Sequence, residues 1–291
     1  MSDVAALRPP LDPTRLAALE PYWRVEVRGT AESTNALLGD LARAGAEPGA
    51  VLVTEHQTSG RGRLDREWST PPRAALTFSA LVEVDAPPAH WPLLPLLVGV
   101  VVQSTLSEWL PDVELKWPND VLVPDAEGWG RKLVGILVER VEGPHGPLAV
   151  VGVGINVSQA PEELPGSTAT SMRIELEEML AAEARHRHET EGEPLPEQTE
   201  TVVVDRTELL TMLLTNLEAL TPLLGDPAGL LAAYRMGCGT LGREIDVHLP
   251  GGRVHRGTAL DLDASGALVV SDGDGTLVVS AGDVVHVRPA G

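Results

Sequence analysis

The chain has 291 residues, with 42 Asp and Glu against 22 Lys and Arg and a formal net charge of −20. That balance excludes a generally basic nucleic-acid binder, whose footprint on phosphate must be positive. With 43% hydrophobic and 22% charged residues the composition is globular, and the one cysteine, Cys238, excludes an internal disulfide. Such a length allows one large domain or two smaller ones. No signal peptide opens the chain, and no run approaches the roughly 18 apolar residues of a membrane span, so a soluble cytoplasmic protein is expected. Of the 22 basic residues 20 are Arg, and the two lysines are Lys116 and Lys132. Lysine kept in such a background suggests a need for a compact point charge.

In chain order, a short helix is expected near Thr14–Glu20. Ser33 or Thr34 then caps an Ala/Leu-rich helix running to about Ala44. Val51–Glu55 reads as a short buried strand, His56–Arg73 as a Gly/Arg-rich loop, and Ala75–Val84 as an apolar strand. Pro92–Leu110 is long and apolar enough for a buried helix, with its proper start at Pro95. Three strands follow, Glu114–Val123 broken near Pro118, Lys132–Val141 and Leu148–Val157. The last two are near-continuous apolar runs, as when both sheet faces are covered.

Asp205 and Glu208 open a helix striped by Leu210, Leu213, Leu214 and Leu217. Residues 177–200 hold eight Glu in 24 positions and read as a charged helix tail running into a mobile linker. After Gly237 five short strands, the later ones ending at Asp261, Val270, Val279 and Val287, suggest a separate small barrel.

Four constellations carry chemistry. In Gln57-x-x-Gly60-Arg61-Gly62-Arg63-x-x-Arg66-x-Trp68, glycines let backbone approach a ligand and arginine forks suit phosphate. Trp68 there offers a flat face for a base. Lys116-Trp117-Pro118-Asn119-Asp120 places an amide beside a carboxylate, a plausible Mg²⁺ site. Arg131-Lys132 leads into an apolar strand and sets an ammonium at the edge of a dry core, where charge acts strongly. Gly152-Val153-Gly154-Ile155-Asn156 combines small residues with one polar tip. Neither a P-loop nor a Rossmann glycine fingerprint occurs. The set fits an enzyme handling a nucleoside triphosphate and a carboxylate.

The order of Ser33-Thr34-Asn35, Gln57 with Gly60-Arg61-Gly62-Arg63, Lys116–Asp120, Arg131–Glu139 and Gly152–Asn156 closely resembles the biotin–protein ligase family. The likeness covers about residues 28–290. It implies an α+β protein: a mixed-sheet catalytic domain related to class II synthetase cores, followed by a C-terminal SH3-like β-barrel. The implied divisions are an N-terminal extension (1–27), a catalytic domain (28–236, with 177–200 a mobile charged insertion) and the SH3-like domain (237–291).

The family activates biotin with MgATP as biotinyl-5′-AMP and passes it to a lysine of a biotin carboxyl carrier domain of biotin-dependent carboxylases. The resemblance makes Ser33, Thr34, Asn35, Gln57, Gly60, Arg61, Gly62, Arg63, Lys132 and Gly152 biotin contacts. It makes Arg63, Arg66, Trp68, Lys116, Asn119 and Asn156 ATP or adenylate contacts, Lys132 and Arg63 catalytic, and Asp120 the Mg²⁺ ligand. Gly154 also permits close backbone approach.

The chain departs from the family at Asp65, where relatives carry a further glycine, and in lacking an N-terminal DNA-binding domain. Binding to DNA or to a membrane is therefore not expected, while a homodimer remains open. Two alternatives stay open beside it: a lipoyl or octanoyl ligase on the same fold, and a non-catalytic biotin- or nucleotide-binding regulator.

Overall fold

The computed structural model describes residues 6–63, 66–125, 130–196, 201–249, 252–273, 275–280 and 282–286. The Asp12 carboxylate accepts from Thr14 and Arg15 N–H and so caps a single helical turn, α1 (Pro13–Leu16). Buried Leu16 and Trp23 anchor this opening segment to the core. Strand β1 (Arg24–Arg28) comes next and was not foreseen, because its alternating charges give no apolar run. Of the two expected caps, Ser33 is the one used, accepting from Ala36 N at 3.4 Å to start α2 (Thr34–Arg43).

Strand β2 (Ala50–Thr54) leads into a segment that folds back through two short paired strands, β3 (Gly60–Arg61) and β4 (Glu67–Trp68). Long strand β5 (Ala75–Glu83) follows. The next apolar stretch opens as a 3-10 segment over Pro88–Leu93, since prolines supply no N–H, and becomes α3 at Leu94–Leu106. Among the described residues Pro88–Leu106 is the one helical stretch long and apolar enough to cross a membrane, so the expectation of no such run needs correcting. Nine residues of α3 are nevertheless buried inside the protein.

Strands β6 (Glu114–Lys116), β7 (Asp120–Val123), β8 (Arg131–Gly143) and β9 (Gly146–Asn156) complete a seven-stranded sheet ordered β1-β2-β5-β9-β8-β7-β6. Only β1 and β2 run parallel; the other neighbours are antiparallel. Side chains alternate across the sheet. One face buries Leu81, Val141 and Val150 against Leu38 and Ala42 of α2. The other packs Phe78, Ala80, Val151 and Val153 with α3, α5 (Arg206–Leu220) and α6 (Pro227–Gly237). Two covered faces account for the near-continuous apolar run of β9. Strand β8, for which the same was expected, is only half-buried along much of its length and corrects that expectation.

Helix α4 (Met172–Glu191) contains the charged helix tail expected from residue 177 onward. Residues 177–191 continue one 20-residue helix, which ends at Gly192 with φ of 74°. Residues 197–200 lie outside the described residues. Strands β10 (Glu244–His248), β11 (Val254–Leu262), β12 (Leu268–Ser271), β13 (Thr276–Val279) and β14 (Asp283–His286) form a five-stranded antiparallel sheet, ordered β13-β12-β11-β10-β14. Val287, the expected end of the last strand, is outside the described residues. This sheet fits an SH3-like unit. It is fastened to the β6–β7 corner: Trp117 N donates to Thr240 Oγ1 at 3.1 Å and Trp117 Nε1 to Gly266 O at 3.0 Å.

Candidate active site

The floor of the site is a patch of missing side chains. Gly135 of β8 and Gly154 of β9 are register partners, with Gly152 two residues away on β9. A Cβ on Gly152 would lie 2.0 Å from Asn35 Oδ1, and one on Gly154 would lie 2.7 Å from the Trp68 ring. The glycines thus admit one polar and one aromatic side chain that any larger residue would expel. Trp68 lies across this floor, and its buried Nε1 has no hydrogen-bond partner among the described residues. In this conformation the ring faces the sheet. One face lies on the glycine floor, and the ring also borders both cavities of the site.

A polar wall rises from the start of α2. Gln57 Oε1 accepts from Thr34 N at 3.0 Å and from Thr34 Oγ1 at 3.3 Å. Ser79 Oγ stands 2.8 Å from Thr34 Oγ1 and 2.6 Å from Asn35 Oδ1. Asn35 Nδ2 donates to Leu137 O at 3.1 Å and to Glu139 Oε2 at 2.9 Å, and Arg61 reaches the same carboxylate oxygen at 3.2 Å. Thr34, Asn35, Gln57 and Ser79 are all buried. Buried hydroxyls and amides are stable only when paired in this way.

Opposite this wall the cations gather. Lys132 Nζ is 2.7 Å from Asp120 Oδ1, and Lys116 Nζ is 3.8 Å from Asp120 Oδ2. Lys132 Nζ also lies 5.8 Å from the Trp68 ring centroid. Arg63 donates to Asn119 Oδ1 and to Gly282 O, each at 3.2 Å. Burial pulls the Arg63 pKa down, against the raising influence of Asp283 and Asp120. Arg66 pairs with Asp283 of β14. The C-terminal sheet therefore supplies both a carbonyl and a carboxylate to the loop arginines.

Ser33, Thr34, Asn35, Gln57, Arg61, Gly62, Arg63, Arg66, Trp68, Asn119, Asp120, Lys132, Gly152 and Gly154 border one cavity of about 110 Å³. A larger cleft of about 920 Å³ shares Arg61, Gly62, Arg63, Arg66, Trp68 and Asn119 with it, adds Gly60, and reaches Trp117, Ser265 and Gly266. Two expected contacts stand outside both walls. Lys116 is turned to Asp120. Asn156 is buried, donating to Thr170 O at 2.9 Å and accepting from Gln159 Nε2 at 2.8 Å.

Two ammonium groups converge on the Asp120 carboxylate, and among the described residues no group of three or more His, Cys, Asp or Glu could hold a metal by itself. A Mg²⁺ ion here would draw most of its ligands from nucleotide phosphates and water, with Asp120 already engaged by lysine.

Sequence reasoning missed three contributors. Residues 168–170 pair with Lys132: Lys132 N donates to Thr168 O at 2.8 Å and Thr170 N to Lys132 O at 3.0 Å. Nothing in their composition marks them. Ser79 sits in an apolar strand, where the hydroxyls of Thr77 and Ser79 on one face are the available signal. Asp283 lies in a short strand 217 residues beyond Arg66, and no local pattern links the two.

Comparison with known proteins accords with this geometry. Residues 28–156 match the profile of the biotin/lipoate A/B protein ligase family, and residues 240–287 match the biotin protein ligase C-terminal domain. The chain is 39% identical to the biotin–[acetyl-CoA-carboxylase] ligase of Mycobacterium tuberculosis, over 99% of this chain and 100% of that protein. It is 35% identical to the bifunctional ligase/repressor BirA of Bacillus subtilis, over 46% of this chain and 40% of that protein. A solved biotin protein ligase from Aquifex aeolicus, in complex with biotin and ATP, shares the fold. Its TM-score is 0.66 at 24% identity, covering 90% of this chain and 97% of that one. The chain belongs to the biotin/lipoate A/B protein ligase family, among its biotin ligases.

Proposed function

We propose that this protein joins biotin to ATP as biotinyl-5′-AMP and then passes the biotinyl group to a lysine of a biotin carboxyl carrier domain. The carrying observation is the division of one cavity into a neutral wall (Thr34, Gln57) and a cationic end (Arg63, Lys132, with Asn119). A cyclic urea suits the first and a carboxylate meeting phosphate suits the second. In the first step a carboxylate oxygen attacks the α-phosphorus and pyrophosphate leaves. In the second, the carrier amine attacks the acyl carbon, AMP leaves and the amine gives up a proton.

Two anions must meet in the first step, so fixed cations have to screen them as charge builds. Lys132 serves the carboxylate and α-phosphate, while Arg63 and Arg66 hold the departing pyrophosphate. Asn119 and Asp120 orient Arg63 and Lys132, and Asn156 positions Lys132 indirectly through Thr170. The glycines at 60, 62, 152 and 154 leave room for ligand and loop. Mg²⁺ enters as the counter-ion of the nucleotide phosphates, with no step assigned to it. In this reading the unit from β1 (Arg24–Arg28) to residue 236 does the chemistry, and residues 237–291 support the loop arginines. The segment before β1, expected as an extension, packs into the same core through Leu11, Leu16 and Trp23.

Pyrophosphate release with MgATP, measured with biotin and separately with octanoate, is the test. Release with biotin alone supports the reading. Release with octanoate alone assigns the lipoyl or octanoyl chemistry instead, and binding without release leaves a regulator.

A further inference from the structure

The proton arrangement of the polar wall is determined by residues behind it. Asn35 Nδ2 faces two groups that can only accept, the Leu137 carbonyl at 3.1 Å and the Glu139 carboxylate at 2.9 Å. The amide oxygen is therefore turned to Ser79 Oγ, 2.6 Å away. A hydroxyl has one proton. Ser79, fully buried in β5, must spend its proton on Asn35 Oδ1, because an unmet buried acceptor costs its full desolvation.

Ser79 Oγ then accepts from Thr34 Oγ1, 2.8 Å away. The other local outlet for the Thr34 proton is Gln57 Oε1, at 3.3 Å, and this too lies within the wall. In either arrangement the Thr34 hydroxyl donates inward, so it can only accept from a ligand. Gly152 is part of the device: its missing Cβ is what lets the Asn35 amide oxygen stand where it does.

We propose that Glu139 and Ser79 are positioning residues which, through Asn35, hold Thr34 as an obligate acceptor and so select a ligand carrying an N–H, here the ureido N–H of biotin. This rests on the biotin reading above. Neither side chain lines the 110 Å³ cavity. Ser79 lies behind its wall, and Glu139 meets Arg61 on the side of the 920 Å³ cleft, which it borders, with its side chain about a third exposed.

The test is calorimetric titration of the full chain with biotin, and with biotin methylated at a ureido nitrogen. Losing one link of this chain, which acts on biotin only through Thr34, should weaken biotin binding about three- to tenfold. Ser79→Ala and Glu139→Met should each show that loss. Glu139→Gln should stay within about threefold of wild type, since its amide oxygen can still accept from Asn35. The double variant Ser79→Ala/Glu139→Met should be no more than about twofold weaker than its weaker parent, as members of one chain are not additive.

The preference for biotin over the methylated analogue should shrink in Ser79→Ala, which a merely structural role would not produce. ATP binding and melting temperature report on folding, and the Glu139 variants carry the test if Ser79→Ala folds poorly. Additive losses, a Glu139→Gln as weak as Glu139→Met, or unchanged biotin affinity would each overturn the proposal. A wild type that binds no biotin overturns it together with the reading on which it rests.

Discussion

Lys132 Nζ lies 2.7 Å from Asp120 Oδ1, while Lys116 approaches the other oxygen of that carboxylate at 3.8 Å. The only two lysines in the chain therefore share one buried anion. We propose that Asp120 aims its lysine rather than holding a metal. Asp120→Asn should slow adenylate formation about 10- to 100-fold, the range for losing a hydrogen bond to a charged group. The Mg²⁺ concentration giving half the maximal rate should stay within about twofold of wild type. A large rise in that requirement would return Asp120 to the metal.

Lys132→Arg keeps the charge and changes the shape. A planar guanidinium cannot repeat the single-point contact made beside Asp120 and the Trp68 ring. Loss of one well-placed transition-state donor costs roughly 10²–10³ in rate, so adenylation should fall by that order. Transfer from pre-made biotinyl-adenylate should suffer less, because pyrophosphate has already departed. Single-turnover measurements of the two steps separate these outcomes. Adenylation within a few-fold of wild type, at an unchanged melting temperature, would remove Lys132 from catalysis.

Residues that speak through local pattern were legible in the sequence. Ser33 announces a helix start, the apolar run of β9 announces a sheet covered on both faces, and three arginines among glycines announce an anion site. What was not legible depends on long-range pairing. Trp68 has the composition of a base platform, yet the glycines at 135 and 154 admit it to the strand floor. Asn156 has the look of a ligand contact, yet its buried amide is turned to Thr170 and Gln159. Asp120 beside Asn119 suggests oxygen ligands, until Lys132 folds onto it from another strand. In each case the residue type was informative, and its partner, supplied by distant chain, decided its use.

The Arg66–Asp283 pair joins the loop to the C-terminal sheet. Arg66 is more than half exposed, so the pair is worth at most about 1 kcal/mol. Asp283→Ala should therefore raise proteolytic cleavage within residues 56–73 of the unliganded protein by no more than about fivefold. Adding biotin and ATP should largely cancel the difference, since phosphate then takes the place of the carboxylate. Timed limited proteolysis measures both arms. Equal rates for variant and wild type without ligand would show that the contact does not restrain the loop.

Gly154→Ala tests the floor. Its Cβ would fall 2.7 Å from the Trp68 ring, and the ring must move because the strand backbone cannot. Overpacking of this kind typically costs about 1–3 kcal/mol. The displaced ring would crowd the cavity, raising KM for biotin by about tenfold or more. Steady-state kinetics with saturating ATP report it. An unchanged KM would mean that Trp68 leaves the floor in the liganded enzyme.

Arg206 closes the base of the same loop from behind. Its side chain is 2% exposed and reaches Glu55 Oε2 at 2.6 Å, Pro9 O at 2.8 Å and Ala75 O at 3.2 Å. Glu55 immediately precedes the loop and also accepts from Leu11 N at 2.8 Å, while Ala75 follows it. Burial lowers the Arg206 pKa, with Glu55 opposing that shift. Removing one partner of a buried pair strands the other charge and costs about 3–5 kcal/mol. Arg206→Met should accordingly lower the melting temperature by roughly 6–20 °C, at 2–4 °C per kcal/mol for a chain of this class. Adding Glu55→Gln should recover part of that loss, because no charge is then left unpaired. Calorimetric melting of the single and double variants decides the matter. A double variant less stable than Arg206→Met would show that Glu55 stabilises the loop base through Leu11 independently of Arg206.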